Sequence, residues 1–179
     1  MSRPPAIFAL PARLLHWSMA GLMLVMLFIG LFMVSTAGGP YPLLLAWHRP
    51  IGIAILVLAV LRLIVRFTHR PPPLPEDLPR LQKWGAEGSH WVLYGLMLAM
   101  PLIGWAMQSA GGYPIVLWKG MQLPPILPHD IRLYGELRWL HGVLAFAFIG
   151  VILLHLAAAL FHALVRRDGV FQSMVGSRK

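Results

Sequence analysis

Eight histidines stand in a chain without cysteine, and the spacing of three of them is the first pointer to chemistry. From Trp139 to His162 the sequence reads WLHGVLAFAFIGVILLHLAAALFH, with His141, His155 and His162 fourteen and then seven residues apart. In a helix rising ~1.5 Å per residue, fourteen residues make nearly four turns and ~21 Å. His141 and His155 therefore share a face near opposite ends of the stretch, and His162 lies almost on that face two turns further. Other histidines fall at matching depths. His16 and His90 each head another apolar run, level with His155, and His48 stands near the start of a fourth, level with His141. A titratable side chain at such a position is functional by default and needs a named partner. Two imidazoles facing each other can hold a haem iron from both sides, and an iron so held has no open position and carries electrons. Two such sites stacked along one bundle make a path from end to end. At the level of His155, the residues leave His16 and His90 equivalent.

Rival chemistry is poorly served. Tetrahedral zinc sites favour clustered Cys, His and carboxylate ligands, and catalytic ones often carry H-E-x-x-H; neither cysteine nor that motif occurs. The lack of cysteine also removes disulfides, iron–sulfur ligation and covalent haem attachment. Aspartate and glutamate total only six, and none lies inside an apolar run apart from Glu136 at an edge, which disfavours carboxylate-driven ion transport. A haem needs cations for its propionates. Arg49 and Arg138 stand beside the His48/His141 level, and Arg13, Arg62 and Arg66 near the other. Arg62 lies within an apolar run, where it either snorkels to the interface or meets a propionate. Gly21, Gly30, Gly52, Gly95, Gly104, Gly142 and Gly150 serve either as slots for a flat ring or as ordinary close-packing positions between helices.

The elements that must position these residues follow from composition. The 179 residues are 58% hydrophobic and 12% charged, with a mean hydropathy of +0.71, against about a quarter charged in ordinary soluble domains. Four stretches, approximately 14–34, 45–67, 89–109 and 137–165, reach the ~20 residues that cross the hydrocarbon core as a helix. Backbone groups in lipid must be paired internally, so helices are the expected form. The reading is an all-α membrane protein, one domain over 1–179, folded as a four-transmembrane-helix bundle. Proline and glycine mark the joints: STAGGPYPLL, RPPPLPEDLP and the long GGYPIVLWKGMQLPPILPHDIRLYGE. The first apolar run exceeds the 7–15 residues of a signal peptide and is read as a retained span.

The net charge of +9 belongs to topology and to anionic headgroups rather than to nucleic acid, since no basic helix is free to enter a groove. Arg3, Arg13, Arg62, Arg66, Arg70, Arg80, Lys83, Arg166, Arg167, Arg178 and Lys179 gather on one side, and Arg49, Lys119, Arg132 and Arg138 on the other. Eleven against four predicts that both termini are cytoplasmic.

The chain also repeats itself. HWSMAGLMLVMLFIGLFM from His16 and HWVLYGLMLAMPLIGWAM from His90 agree at ten of eighteen positions. More loosely, His48 falls on His141, Arg62 on His155 and His69 on His162. This predicts an internal two-helix repeat, related by an axis normal to the membrane.

The motifs RLLHW, WHRPIGIAILVLAVLRLIVR, SHWVLYGLMLAMPLIGW and WLHGVLAFAFIGVILLH, with the proline run after the second span, resemble the bacterial cytochrome b561 family. That family is related to the membrane cytochrome b subunits of hydrogenases and formate dehydrogenases. The resemblance covers nearly the whole chain. It implies two noncovalent haem b groups, with His48 and His141 holding the periplasmic iron and His16 and His155 the cytoplasmic one. The family pattern thus selects His16 over His90. His90 and His162 become candidates for binding a ubiquinone or relaying its protons, a role suited to a side chain that titrates near neutrality. His69 and His129 lie in loops and receive no role.

What the resemblance implies is a di-haem b-type electron carrier of the bacterial inner membrane, in contact with lipid and quinone and linking the quinone pool to a periplasmic redox partner. Its alternative is an enzyme, a superoxide oxidase passing electrons from superoxide to ubiquinone at the periplasmic face. A basic mouth would draw that small anion in, with Lys119, Arg132, Arg49 and Arg138 as candidates. The long loop Gly111–Glu136, with Trp118 and Lys119, separates the two: a closed lid favours superoxide, and an open platform favours a protein donor.

Overall fold

The computed structural model describes residues 7–36, 38–118 and 120–176. Among them, four helices are long and apolar enough to cross a membrane. They are α1 (Leu10–Ser35), α2 (Tyr41–Thr68), α3 (Arg80–Ala110) and α4 (Ile131–Leu160), the last continuing as a π-helical turn over Phe161–Arg166. A short helix α5 (Val170–Val175) follows. Each span reaches beyond the stretch that hydropathy marks, most of all α3 and α4, which start at Arg80 rather than 89 and at Ile131 rather than 137. Hydropathy registers only the residues that match the hydrocarbon, whereas the helical hydrogen-bond ladder runs on through polar residues at its ends. Caps decide where it stops. Asp130 accepts from the N–H groups of Arg132 (2.9 Å) and Leu133 (3.1 Å) and so sets the start of α4. Prolines occupy the first turns of α1 and α2, where a missing N–H costs nothing.

The helices pair as two antiparallel hairpins, α1 with α2 and α3 with α4, closed mainly by α2 against α3. By contrast, α1 and α4 make few close backbone approaches. Buried Met23, Ile55 and Phe148 from α1, α2 and α4 form the centre of the bundle, with Met97 and Met100 of α3 against them. Methionine fills irregular gaps well because its chain is unbranched and flexible. Large apolar side chains such as Phe28, Phe67 and Leu154 cover the outside, as suits contact with lipid.

The bundle is all-α apart from one loop feature. The long loop between α3 and α4 contains an antiparallel pair of strands, β1 (Val116–Trp118) and β2 (Met121–Gln122). Gly120, at φ +81°, supplies the left-handed residue of the turn. The loop is strapped to the helix ends. Trp105 donates to the Pro124 carbonyl (3.0 Å), the Ile126 N–H donates to Ser109 Oγ (3.1 Å), and Ile115 is buried. His129 Nδ1 donates to the Ala110 carbonyl (3.0 Å), which gives this loop histidine a structural use. The bundle thus has a hairpin end, carrying β1–β2, and a terminal end, where α1 begins and α5 lies.

Candidate functional site

Two histidine pairs form across the bundle. At the hairpin end His48 of α2 faces His141 of α4, with ring centres 6.2 Å apart and planes at 67°. At the terminal end His16 of α1 faces His155 of α4 at 6.3 Å, also at 67°. An iron between two imidazoles takes a metal–nitrogen bond of about 2 Å on each side, and adding the ring radii gives centres about 6 Å apart. Both pairs have that separation. His90 of α3 also approaches His155, at 5.5 Å. Its Nδ1 donates to the Ala86 carbonyl of its own helix (2.6 Å), and the side chain is exposed.

The surroundings of the hairpin-end pair fit a haem further. Nδ1 of both His48 and His141 is buried without a hydrogen-bond partner among the described residues; the Met100 backbone lies beside His141 but completes no bond to that atom. A buried unpaired ring nitrogen is costly and is relieved when the opposite nitrogen binds a metal and Nδ1–H finds an acceptor. A Cβ added at Gly104 would sit 3.4 Å from His141 Cε1, and one at Gly30 would sit 3.9 Å from His48 Cε1. These two glycines leave room for the rings. Gly21, Gly95, Gly142 and Gly150 face nothing within 4 Å among the described residues.

Of the candidate propionate cations, Arg62 lies closest to a pair. It points inward: its guanidinium donates to the Ala12 carbonyl (3.1 Å), touches His16 Nδ1 (3.1 Å) and lies over the Tyr94 ring. Arg49 donates to Gln108 Oε1 (2.5 Å) and to the Pro114 carbonyl (3.5 Å), joining α2 to α3 and the loop. Arg138 is exposed and donates to Tyr134 Oη (3.2 Å). Arg13 donates to the Met174 and Val175 carbonyls (3.3 and 2.6 Å), and Trp17 joins it on Met174 (3.2 Å), so both tie α5 to α1. Arg132 is exposed at the start of α4, and Lys119 lies outside the described residues.

At the terminal end a cavity of about 600 Å³ opens between the start of α3 and the end of α4, lined by His155 and His162. His162 Nδ1 donates to Asp168 Oδ2 (2.7 Å). Arg166 Nε lies 2.8 Å from the same oxygen, close enough for an ion pair though not aligned for a hydrogen bond. Arg166 also donates to Asp77 (2.5 Å). Burial would push the Asp168 carboxyl up, yet the bond from His162, the Val170 N–H and the Arg166 charge hold it below the usual carboxylate range. Sequence reasoning missed Asp168, although its Asp-Gly dipeptide marks a turn.

A multi-pass membrane protein with histidines paired across a four-helix bundle is a candidate membrane cytochrome. The profile of the prokaryotic cytochrome b561 family matches residues 7–177, and the chain belongs to that family of membrane redox proteins, whose members bind haem b through histidines. It is 27% identical over 175 residues to cytochrome b561 homolog 2 of Escherichia coli (strain K12), covering 96% of this chain and 93% of that one. It is 32% identical over 133 residues to the probable superoxide oxidase CybB of Yersinia pestis, covering 74% of each. Cytochrome b561 homolog 1 of Escherichia coli (strain K12) is 28% identical over 141 residues, 78% of each chain.

Proposed function

We propose that the chain is a di-haem b-type cytochrome carrying electrons across the bacterial inner membrane between the quinone pool and a redox partner on the periplasmic side. His48 and His141 hold the haem of the hairpin end, and His16 and His155 that of the terminal end. The observation that carries this reading is the equal spacing of the two pairs, 6.2 and 6.3 Å, against 5.5 Å for His90 and His155. Each haem would supply a one-electron couple when bound, and the two facing imidazoles of each pair would hold it.

The remaining work falls to the chain's own residues. Arg62 can donate to His16 Nδ1 only while that atom carries no proton. A histidine that holds iron through Nε2 keeps its proton on Nδ1, so with haem bound Arg62 would be free to pair with a propionate. The terminal-end cavity is the quinone site. Its lining residues Leu154 and Val92 are 73% and 50% exposed, so an isoprenoid chain enters sideways from lipid. His162, inside the cavity, is the quinone-facing group, and His90 stands beside it on α3. The terminal end, with both termini, faces the cytoplasm.

The second reading, superoxide:ubiquinone oxidoreductase, is favoured by the loop strapped to the helix ends at the His48/His141 end and by the Yersinia pestis relative. Two superoxide ions would each lose one electron to become dioxygen, and one quinone would gain two electrons and two protons. Arg132→Gln with Lys119→Gln should then slow the superoxide reaction and weaken its dependence on salt; kinetics unchanged at low ionic strength would sink the steering role.

The test of the main reading is haem per chain, measured as pyridine haemochrome on the parent, His16→Ala and His90→Ala. Two haems in the parent and one in His16→Ala alone support it. Loss confined to His90→Ala would overturn the terminal-end pair.

A further inference from the structure

Asp168 and His162 ought not to meet. On a straight α-helix, six residues place two side chains on well-separated faces and ~9 Å apart along the axis. Two local features bring them together. α4 widens into the π-helical turn Phe161–Arg166, where the Arg167 N–H returns to the His162 carbonyl (2.8 Å). Arg167 then takes the left-handed region at φ +52°, and Gly169 follows at φ +85°. π-turns inside α-helices concentrate at functional sites, and left-handed backbone at a non-glycine residue persists only where its surroundings hold it. The product is a shielded dyad, with the His162 and Asp168 side chains 18% and 10% exposed. Asp168 is itself held from both sides, by Arg166 and by the Val170 N–H on Oδ1 (3.2 Å).

A carboxylate only accepts hydrogen bonds, so the 2.7 Å contact keeps the proton on His162 Nδ1. Nε2 is then the one ring nitrogen left for the cavity that His162 lines with Phe161, Ser89 and Gln82. We propose that Asp168 is a positioning residue that confines proton exchange with a quinone-type headgroup to Nε2 of His162. The inference rests on the cavity being the quinone site. In the forward step a hydroquinone O–H bond breaks and an Nε2–H bond forms, and Asp168 balances the imidazolium so made. No electron moves in this step. The reverse step returns the proton to the ligand oxygen. Without Asp168 the two ring tautomers compete, and the one with Nε2 already protonated cannot accept.

The experiment uses the haem-loaded full chain in detergent with decylubiquinol as probe. It reads the limiting rate of haem reduction, the half-saturating decylubiquinol concentration, and the His162 tautomer by ¹⁵N NMR of histidine-labelled protein. Asp168→Ala should leave haem content unchanged, mix the tautomers and raise the half-saturating concentration about tenfold, in line with other lost outer-shell partners. Asp168→Asn still offers an acceptor to Nδ1–H. It should restore a single tautomer and bring the half-saturating concentration back to within about threefold, while the limiting rate stays about tenfold down because the charge is gone. A parent His162 with unprotonated Nδ1, or an Asp168→Ala protein that behaves as the parent, would overturn the proposal. Ala158→Trp, which fills the cavity, separates the two readings. If it leaves decylubiquinol saturation unchanged, the quinone site itself is wrong. If it abolishes saturation while Asp168→Ala is harmless, only the role of Asp168 fails.

Discussion

The two ends of the bundle share a histidine pair of nearly the same width, and what surrounds each pair differs. At the hairpin end His48 and His141 stand alone, with Nδ1 of each unpartnered among the described residues and a strapped loop close by. At the terminal end His90 approaches His155, Arg62 reaches His16, and a cavity lined by His155 and His162 opens toward lipid. On the proposed reading one end encloses its haem and the other exchanges with quinone, so the same ligand chemistry would take two duties from the shape and polarity of the residues around it.

The most severe way to break the comparison is to remove one histidine from each end. His141→Ala should leave one haem per chain and one component in a redox titration, and His155→Ala should remove the other. If either variant lost both haems, the two ends would not be independent sites.

A milder cut uses the glycines. Gly104→Leu drives a side chain into His141, since even a Cβ there meets the ring at 3.4 Å. It should deplete the hairpin-end haem, whereas Gly95→Leu, nearer the start of the same helix, faces nothing within 4 Å among the described residues and should keep both. Equal haem contents in the two variants would remove Gly104 from the ring's surroundings.

That contrast also marks what the sequence could tell. The four spans and the facing of His141 and His155 along one helix were legible, because hydropathy and a 3.6-residue period are local properties. The glycine set was not resolved: seven candidates looked alike, and only helix pairing brings Gly30 and Gly104 beside histidines. His16 and His90 were equivalent by depth, and the family resemblance selected His16; the lateral positions of α1 and α3 give a 6.3 Å pair with His155 for the first and a 5.5 Å one for the second. Arg13 looked like a propionate cation, but its partners are carbonyls more than 160 residues away. Asp168 was legible only as part of an Asp-Gly turn, because the π-helical turn that returns it to His162 has no simple residue signature.

A smaller effect tests how firmly the terminal end is closed. Gly176 ends α5 at φ +86°, and a Cβ there would collide with the Arg13 guanidinium. Gly176→Ala should cost about 1–2 kcal/mol for the left-handed backbone alone and free α5 from α1. Limited proteolysis should then cut near residue 170 in the variant and spare the parent. Equal resistance in both would mean that Arg13 and Trp17 do not hold α5 down.

The smallest effect is in pH. Asp168 is held below its ordinary carboxylate value by His162, Val170 and Arg166 despite its burial. A group whose folded value is depressed contributes stability that is present above its unfolded value of about 3.9 and is lost as the pH falls through the folded value. The thermal midpoint of the parent should therefore exceed that of Asp168→Asn near pH 7, and the gap should close as the pH drops below about 4. A gap that stays constant over that range would mean that Asp168 acts through its shape and hydrogen bonds and not through its charge. The His48/His141 end has no carboxylate in contact with its pair among the described residues, so Gly104→Leu should show no comparable acid-dependent gap from the parent. The same titration thus separates an end tuned by charge from one tuned by fit.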